Sequence, residues 1–494
     1  MNDFFVSLLL LGALSSSGNL PFWATAGQYG LMPENSGTLG LLQAGTQFDE
    51  SKTFQWRWGV SMGANRYADP QDPNSSPYHL MADELYLSAR WKAFTLDLGH
   101  KRQPLDFFGS DPLLGSLSVT GGHLCASGNT RTMPGWLLSL DPVPVPWTGR
   151  HLWLYGAFGD YKTLDLRYVQ NALVHRTQVG LRGDIGSHLR LYLMLDHYAM
   201  WAGKHPDHAA MRINLENYLR VVCGLHAGSD GEMTDQINVI GDQRGSELIK
   251  AEWLGDGWRA VFQHDIPYDD GSGMGLQNFP DGVNTFCFSW NDKDRWISDI
   301  VYELHYTRFQ SGPVNVEAFG GEDSPYAPGI RKTTGLDNYF NNGEYRSGWT
   351  HFGRPIGEPL FYPSGTRSRT WSPGLVTLGV ENNRIRAHHL GLSGKLFRSQ
   401  PYRLMLTWSQ NYGTYGVPYA GDSAWQRPWG TVRETALNQF SASFTGLFTR
   451  LFGVKGLTGL YGVYADNGQV LPVSVGGMLG LRFSFISSDS QRSL

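Results

Sequence analysis

The segment from Asp337 to Phe361 concentrates side chains that could hold a ligand. It carries Asp337, Asn338, Tyr339, Asn341, Asn342, Glu344, Tyr345, Arg346, Trp349, His351 and Arg354. Sugars are gripped by this mixture. Aromatic rings cover their apolar C–H faces, while amides, carboxylates and guanidinium groups satisfy their hydroxyls. Asp337, Asn341, Asn342, Tyr345, Arg346, Trp349 and Arg354 are therefore the candidate sugar-binding set. Arg346 and Arg354 suit acidic sugars, because a guanidinium forks a carboxylate through two parallel bonds. The same residues could equally hold a folded plug or loop together.

Other motifs point to chemistry that their context withholds. Gly59-Val60-Ser61-Met62-Gly63 matches the Gly-x-Ser-x-Gly elbow, but a nucleophile elbow joins a strand to a helix, and this motif lies inside a strand pattern. His205 and His208 are three apart, yet Pro206 interrupts any helix between them. His388 and His389 fall on opposite faces of a strand, with His389 toward the interior and His388 outward, so they do not share an ion. Asp106, Asp269, Asp270 and Asp281 sit in Gly-rich loops, too few and too scattered for the six to eight oxygens of a calcium site. Gly391 to Lys395 lacks the spacing and the following helix of a phosphate loop. Cys125, Cys223 and Cys287 form no Cys-x-x-Cys pair and allow at most one disulfide. No catalytic residue, metal or cofactor is read from these patterns.

The elements that must position these residues follow from a period of two. In Thr53 to Arg66, Phe54, Trp56, Trp58, Val60, Met62 and Ala64 share one face, and Gln55, Arg57, Ser61 and Asn65 share the other. Leu189, Leu191, Leu193 and Leu195 alternate with Arg190, Tyr192, Met194 and Asp196. Phe94 to Leu98, Tyr402 to Trp408 and Val473 to Phe485 repeat the pattern. About 16 to 18 such segments occur, many near the roughly 10 residues that a tilted strand needs to cross a bilayer. Arg57, Arg90, Asp97, Arg190, Asp196, Lys250, Glu252, Glu303, Arg403 and Arg482 lie on the polar side. Trp91, Trp253, Trp258, Trp296 and Trp408 stand at or near strand ends, where a membrane barrel carries its aromatic girdles. The expected fold is all-β: a closed antiparallel transmembrane β-barrel of about 18 strands with a small helical or loop plug.

Composition agrees. The 494 residues are 41% apolar, 13% aromatic and only 17% charged, which excludes a disordered chain. Forty Lys+Arg against 44 Asp+Glu give a net charge of −4, unlike a basic nucleic-acid binder. Phe4 to Leu14 reads either as a signal remnant without its basic flank or as a first strand, the reading favoured here. The chain reads as one domain, 1–494, with plug or long-loop insertions near 101–134, 204–235 and 321–372. Met211, Leu215, Tyr218 and Val222 predict one amphipathic helix within Pro206 to Val222, capped by Asp207, packing in the lumen or closing one mouth.

Several runs resemble the capsule assembly Wzi family of bacterial outer-membrane proteins. The longest is DNYFNNGEYRSGWTHFGRPIGEPLF, Asp337 to Phe361. Others, in order, are NLPFW (Asn19 to Trp23) followed by QYGL, DFFG (Asp106 to Gly109), SGNTRTMP (Ser127 to Pro134) and HYAMWAG (His197 to Gly203). ENYLRVVCG (Glu216 to Gly224), DGSG (Asp270 to Gly273), NFPDG (Asn278 to Gly282) and VENNRIRAHHLGLSG (Val380 to Gly394) complete the set. The resemblance implies a closed 18-stranded outer-membrane barrel with a helical plug at its periplasmic end. It also implies a surface lectin, not an enzyme, that helps attach or assemble capsular polysaccharide. Its partners would be that or another surface polysaccharide, outer-membrane lipid or lipopolysaccharide, and other outer-membrane proteins, with no nucleic acid among them. The residues after Phe485 and the missing basic signal region depart from the pattern. A porin-like channel and a structural subunit of a larger outer-membrane assembly are the alternative functions.

Overall fold

The computed structural model describes residues 4–67, 76–209, 211–228, 236, 239–269, 276, 278–312, 337–366, 379–422 and 433–486. Part of the insertion expected near 321–372, the stretch Asp270 to Gly273 and the tail after Ile486 lie outside the described residues.

Alternation becomes wall. Thirteen strands come first: β1 (Phe4–Ser15), β2 (Gly37–Thr46), β3 (Phe54–Tyr67), β4 (Tyr78–Trp91), β5 (Phe94–His100), β6 (Pro134–Pro144), β7 (Leu152–Lys162), β8 (Leu173–Ile185), β9 (Leu189–Trp201), β10 (Asp242–Gly255), β11 (Trp258–Tyr268), β12 (Gly282–Trp290) and β13 (Asp299–Tyr306). A separate two-residue hairpin, β14 (Thr350–His351) and β15 (Arg354–Pro355), interrupts the series. β16 (Ile385–Leu396), β17 (Gln400–Asn411), β18 (Leu437–Phe448), β19 (Leu457–Gly468) and β20 (Ser474–Ile486) finish it. The 18 long strands form one antiparallel sheet, and β1 pairs with both β2 and β20, which closes the ring. The apolar run from Phe4 is thus the first strand. Closure leaves no unpaired edge, as a wall in lipid requires.

The two faces of the wall differ as the pattern predicts. Leu42, Trp56, Leu87, Leu193, Ile249, Phe286 and Leu479 are exposed on the outside. Trp91, Trp253 and Trp296 are exposed at the end where the short turns lie. The inner face is a web of charge. Arg176 pairs with Asp196 at 2.8 Å, Lys250 with Asp106 at 3.1 Å, and Arg190 and Arg259 both with Glu252. His389 faces inward, bonded to Thr407 and the Leu117 carbonyl, while His388 stacks outside on Trp408.

Strands are joined by short turns at one end, such as 92–93 and 256–257, and by long connections at the other, including 101–133, 202–241 and 307–384. Short turns mark the periplasmic end of such barrels and long connections the exterior. Several long connections fold back into the lumen, among them 16–36, whose Trp23 donates to the inward Thr407 at 3.2 Å. Segment 101–133 descends far enough for Ser110 Oγ to reach the Gly394 carbonyl at 2.9 Å, near the short-turn end of β16. Segment 337–366 packs above it. They enter from the long-connection end, because a connection must enter where its flanking strands emerge, and 101–133 reaches down toward the short-turn end.

The predicted helix is shorter than expected and elsewhere. α2 (Leu215–Val222) follows a single turn of helix, α1 (Phe22–Thr25). Asn214, not Asp207, caps α2 by accepting from the Asn217 amide at 2.8 Å. Asp207 instead accepts a short hydrogen bond from the Tyr168 hydroxyl. Val221 and Tyr218 pack with Ala199, Trp201 and Ile240. Ala199 and Trp201 have the same parity on β9 as the exposed Leu191, Leu193 and Leu195, so α2 lies against the outer wall at the long-connection rim. It neither fills the lumen nor caps the mouth.

Candidate functional site

Most of the Asp337–Phe361 residues build the plug. Trp349 is fully buried, donates from Nε1 to the Cys125 carbonyl at 2.7 Å, and packs edge-on to Tyr198. The Arg244 guanidinium lies 5.2 Å from its ring centre. Tyr345 is buried and bonds the Ala202 carbonyl at 3.2 Å. Asn341 exchanges two hydrogen bonds with the Val380 backbone. Asn342 accepts from the amides of Glu344 and Tyr345 and donates to Asp242. Asp337 accepts from Ser311 at 3.2 Å. Buried among its own chain, Tyr345 has no ring face to offer a sugar. The donors that a sugar would have used satisfy the backbone of an irregular buried segment instead, as burial demands. Arg354 is mostly buried and faces Glu34 at 3.6 Å. Arg346 differs: 40% exposed, it lies over the Tyr168 ring at 4.6 Å and 3.8 Å from Asp207.

The remaining motifs resolve as structure. Ser61 sits in mid-strand on β3 and donates to Asp83 at 2.7 Å. Asp281 accepts from the Phe309 and Gln310 amides, and Asp106 holds Lys250. Lys395, at the end of β16, pairs with Asp294 at 2.7 Å. Cys125, Cys223 and Cys287 are all free thiols.

Beneath the plug the wall encloses a cavity of ≈560 Å³. Trp349, Ile356 and Ala126 roof it, and Phe48, Asp141 and Pro142 line it toward the short-turn end. Among the described residues its walls carry Arg57, Arg90, Lys101, Arg102, Arg131, Arg176 and Lys250 beside Asp97, Asp106 and Asp141, with Glu50, Asp83 and Asp196 pairing Arg90, Arg102 and Arg176 from behind. Tyr29, Tyr155, Tyr161, Tyr192 and Tyr198 stand between these charges. Tyr29, Arg102 and Leu105 also line a second cavity of ≈440 Å³. Arg102 is stacked over Tyr29 at 4.0 Å and anchored by Asp83 at 2.6 Å. Burial alone would raise the Asp106 carboxyl, but Lys250 and His123 beside it hold it below its usual value. Burial lowers the Lys101 ammonium against the pull of Asp97.

Arg57 and Arg131 are the exceptions among these cations; Arg131 also has no ion pair among the described residues and lies 4.4 Å from the Phe352 ring centre. Arg57 makes no ion pair among the described residues and rests instead on Phe48 at 4.4 Å and Tyr86 at 5.9 Å. A guanidinium stacked on aromatics but unneutralised is available to an anionic ligand. Sequence reading placed Arg57, Arg90 and Lys250 on the inner face. It missed Tyr29, Phe48, Arg102 and Arg131, which come from connections with no alternation to betray their direction.

At the rim, the structure brings together two residues that Pro206 was expected to separate. His205 and His208 lie on a turn, not a helix, with rings stacked at 3.6 Å between centroids. Both imidazoles face Glu344.

No protein-family model matches the sequence, and no curated protein matches it. Solved structures do. Wzi, an outer-membrane protein involved in group 1 capsule assembly in Escherichia coli and described as a carbohydrate-binding β-barrel, is similar with a TM-score of 0.54 at 14% identity, over 98% of this chain and 85% of that one. OccAB4 of Acinetobacter baumannii aligns over 98% of both chains with a TM-score of 0.46 and 8% identity. OccK9 of Pseudomonas aeruginosa does so with 0.45 and 11%. The likeness to Wzi is one of fold. With the apolar outer face and the closed ring of 18 strands, it makes this chain an outer-membrane β-barrel.

Proposed function

We propose that this barrel binds an acidic surface or capsular polysaccharide and helps its assembly or attachment, without catalysing a reaction. The lumenal cavity carries the proposal: unneutralised Arg57 and an excess of basic groups are interleaved with tyrosines, the pairing of charge and ring that acidic sugars require. The motif resemblance to the capsule assembly Wzi family supports it, as does the fold shared with a barrel described as carbohydrate-binding. The exposed Arg346–Tyr168 pair is a second contact point, on the exterior rim where surface glycans lie.

The test is titration of the purified barrel with the cell's own surface polysaccharide. Arg57→Gln should weaken binding about tenfold, or ~1.4 kcal/mol, with the barrel still folded. Arg346→Ala should weaken it less if the lumen is the main site, and more if the rim is. A wild-type protein with no affinity for any surface glycan would sink the proposal. A porin-like channel is the second reading, favoured by the two adjacent lumenal cavities. Steady conductance in a planar bilayer would support it; the packed plug makes a closed or flickering barrel the expected result.

A further inference from the structure

We propose that His205, His208 and Glu344 form a binding site for a divalent transition-metal ion of the zinc class, stapling two of the exterior connections together. The donors come from distant parts of the chain, the connection after β9 and the plug segment. Their ligand atoms all lie within 4.8 Å of one another. His205 Nε2 stands 3.4 Å from Glu344 Oε1, and His208 Nε2 is closer still to the same oxygen. Ligands held about 2.1 Å from a tetrahedral ion stand roughly 3.4 Å apart, so the triangle already has the size of one coordination face. Two imidazoles and one carboxylate are a zinc-type donor set.

Three further observations bear on the fit. His205 is almost wholly buried, and its Nε2 makes no hydrogen bond among the described residues, so the nitrogen is aimed at the cluster and not at solvent. His208 Nδ1 lies 3.0 Å from the Ala209 carbonyl, to which it can only donate. In a neutral ring that leaves the lone pair on Nε2, the atom turned to Glu344, and the Nδ1 bond is the second contact that metal-binding histidines commonly make. The stacked rings, tilted by only 12°, must splay so that each plane points at the ion. His205 must also exchange its Nδ1 contact with the Asp207 amide, at 3.1 Å, for a proton facing water. Both adjustments fall on an exposed turn. Three protein ligands leave one tetrahedral position for water. Asp207 lies outside the triangle of ligand atoms, its Oδ2 bonded to Tyr168 and facing Arg346 at 3.8 Å.

The experiment uses the full-length barrel without a histidine tag, stripped with a chelator in detergent and titrated with Co²⁺ and then Zn²⁺. One Co²⁺ should bind per barrel, with the visible absorption of a tetrahedral site, and Zn²⁺ should displace it. Glu344→Gln and His208→Ala should each weaken uptake by about tenfold or more. Zn²⁺ should also protect the connection 202–241 from protease in the wild type and not in the variants. Faster migration of the unheated than of the heated barrel on a gel confirms that each variant is folded. No Co²⁺ uptake by the wild type overturns the proposal. So does uptake that both variants retain at the same affinity and spectrum, which would place the ion elsewhere.

Discussion

At the scale of single residues, the plug rests on a few side chains with exact partners. Trp349 fills space and ties the plug to the Cys125 carbonyl at once. Trp349→Ala should therefore cost about 3–5 kcal/mol of plug stability. A thermal melt followed by near-ultraviolet circular dichroism should show an early plug transition, with the wall melting later. His351 gives the plug a pH dependence. Buried, it donates from Nδ1 to the Arg131 carbonyl and accepts at Nε2 from the Leu164 amide, which only a neutral ring can do. Burial pushes it from its ordinary 6.5 down to about 4. Its folded pKa is depressed, so its contribution is complete above pH about 6.5 and drains away as pH falls toward about 4. Protease sensitivity of the connections should rise across that window in the wild type, and His351→Asn should flatten the change.

At the scale of elements, the sequence was legible wherever a regular period met a two-sided environment. Alternation gave β3, β9 and β17 their faces because lipid and lumen differ so sharply. It also carried an unused signal: on β9 the outward positions run Leu191, Leu193, Leu195 and then His197, which marks where lipid contact stops. Above that level α2 covers the wall. Amphipathicity alone could not reveal this, since a helix packed inside and one packed outside show the same stripe. The irregular segment Asp337–Phe361 was illegible for another reason. Asn341 and Trp349 satisfy buried backbone with the chemistry a sugar would need, and composition cannot separate the two uses. For α2, Val221→Asp should undock the helix, because it forces a charge against Trp201 and Ile240. The expected outcome is new protease cleavage near the helix in a barrel that still migrates as folded.

For the whole molecule, wall and contents are one structure. The plug segments bond inner-face groups around much of the ring. Leu124 donates to Asp265 on β11, Ser118 and Val119 to Glu303 on β13, and Asn342 to Asp242 on β10. Arg403 on β17 donates to the Ser116 carbonyl. Shortening 101–133 to a brief turn should thus open a conducting path and also weaken the wall, which conductance and thermal unfolding would report together.

The descent of segment 101–133 through the lumen also constrains the order of assembly. The inner wall presents buried carboxylates, Asp265 and Glu303, that take part of their hydrogen bonding from that segment: Leu124 donates to Asp265, and Ser118 and Val119 join Thr285 and His305 of the wall on Glu303. A ring that shut on an empty interior would leave Asp265 without the Leu124 amide and Glu303 with two donors fewer, a penalty of about 1–3 kcal/mol for each buried group left short. The segment should therefore favour ring closure around it over closure on an empty lumen. A chain in which Ser118 and Leu124 are replaced by Pro, removing their donors, should insert its strands but seal slowly, visible as a lag before the compact gel species appears.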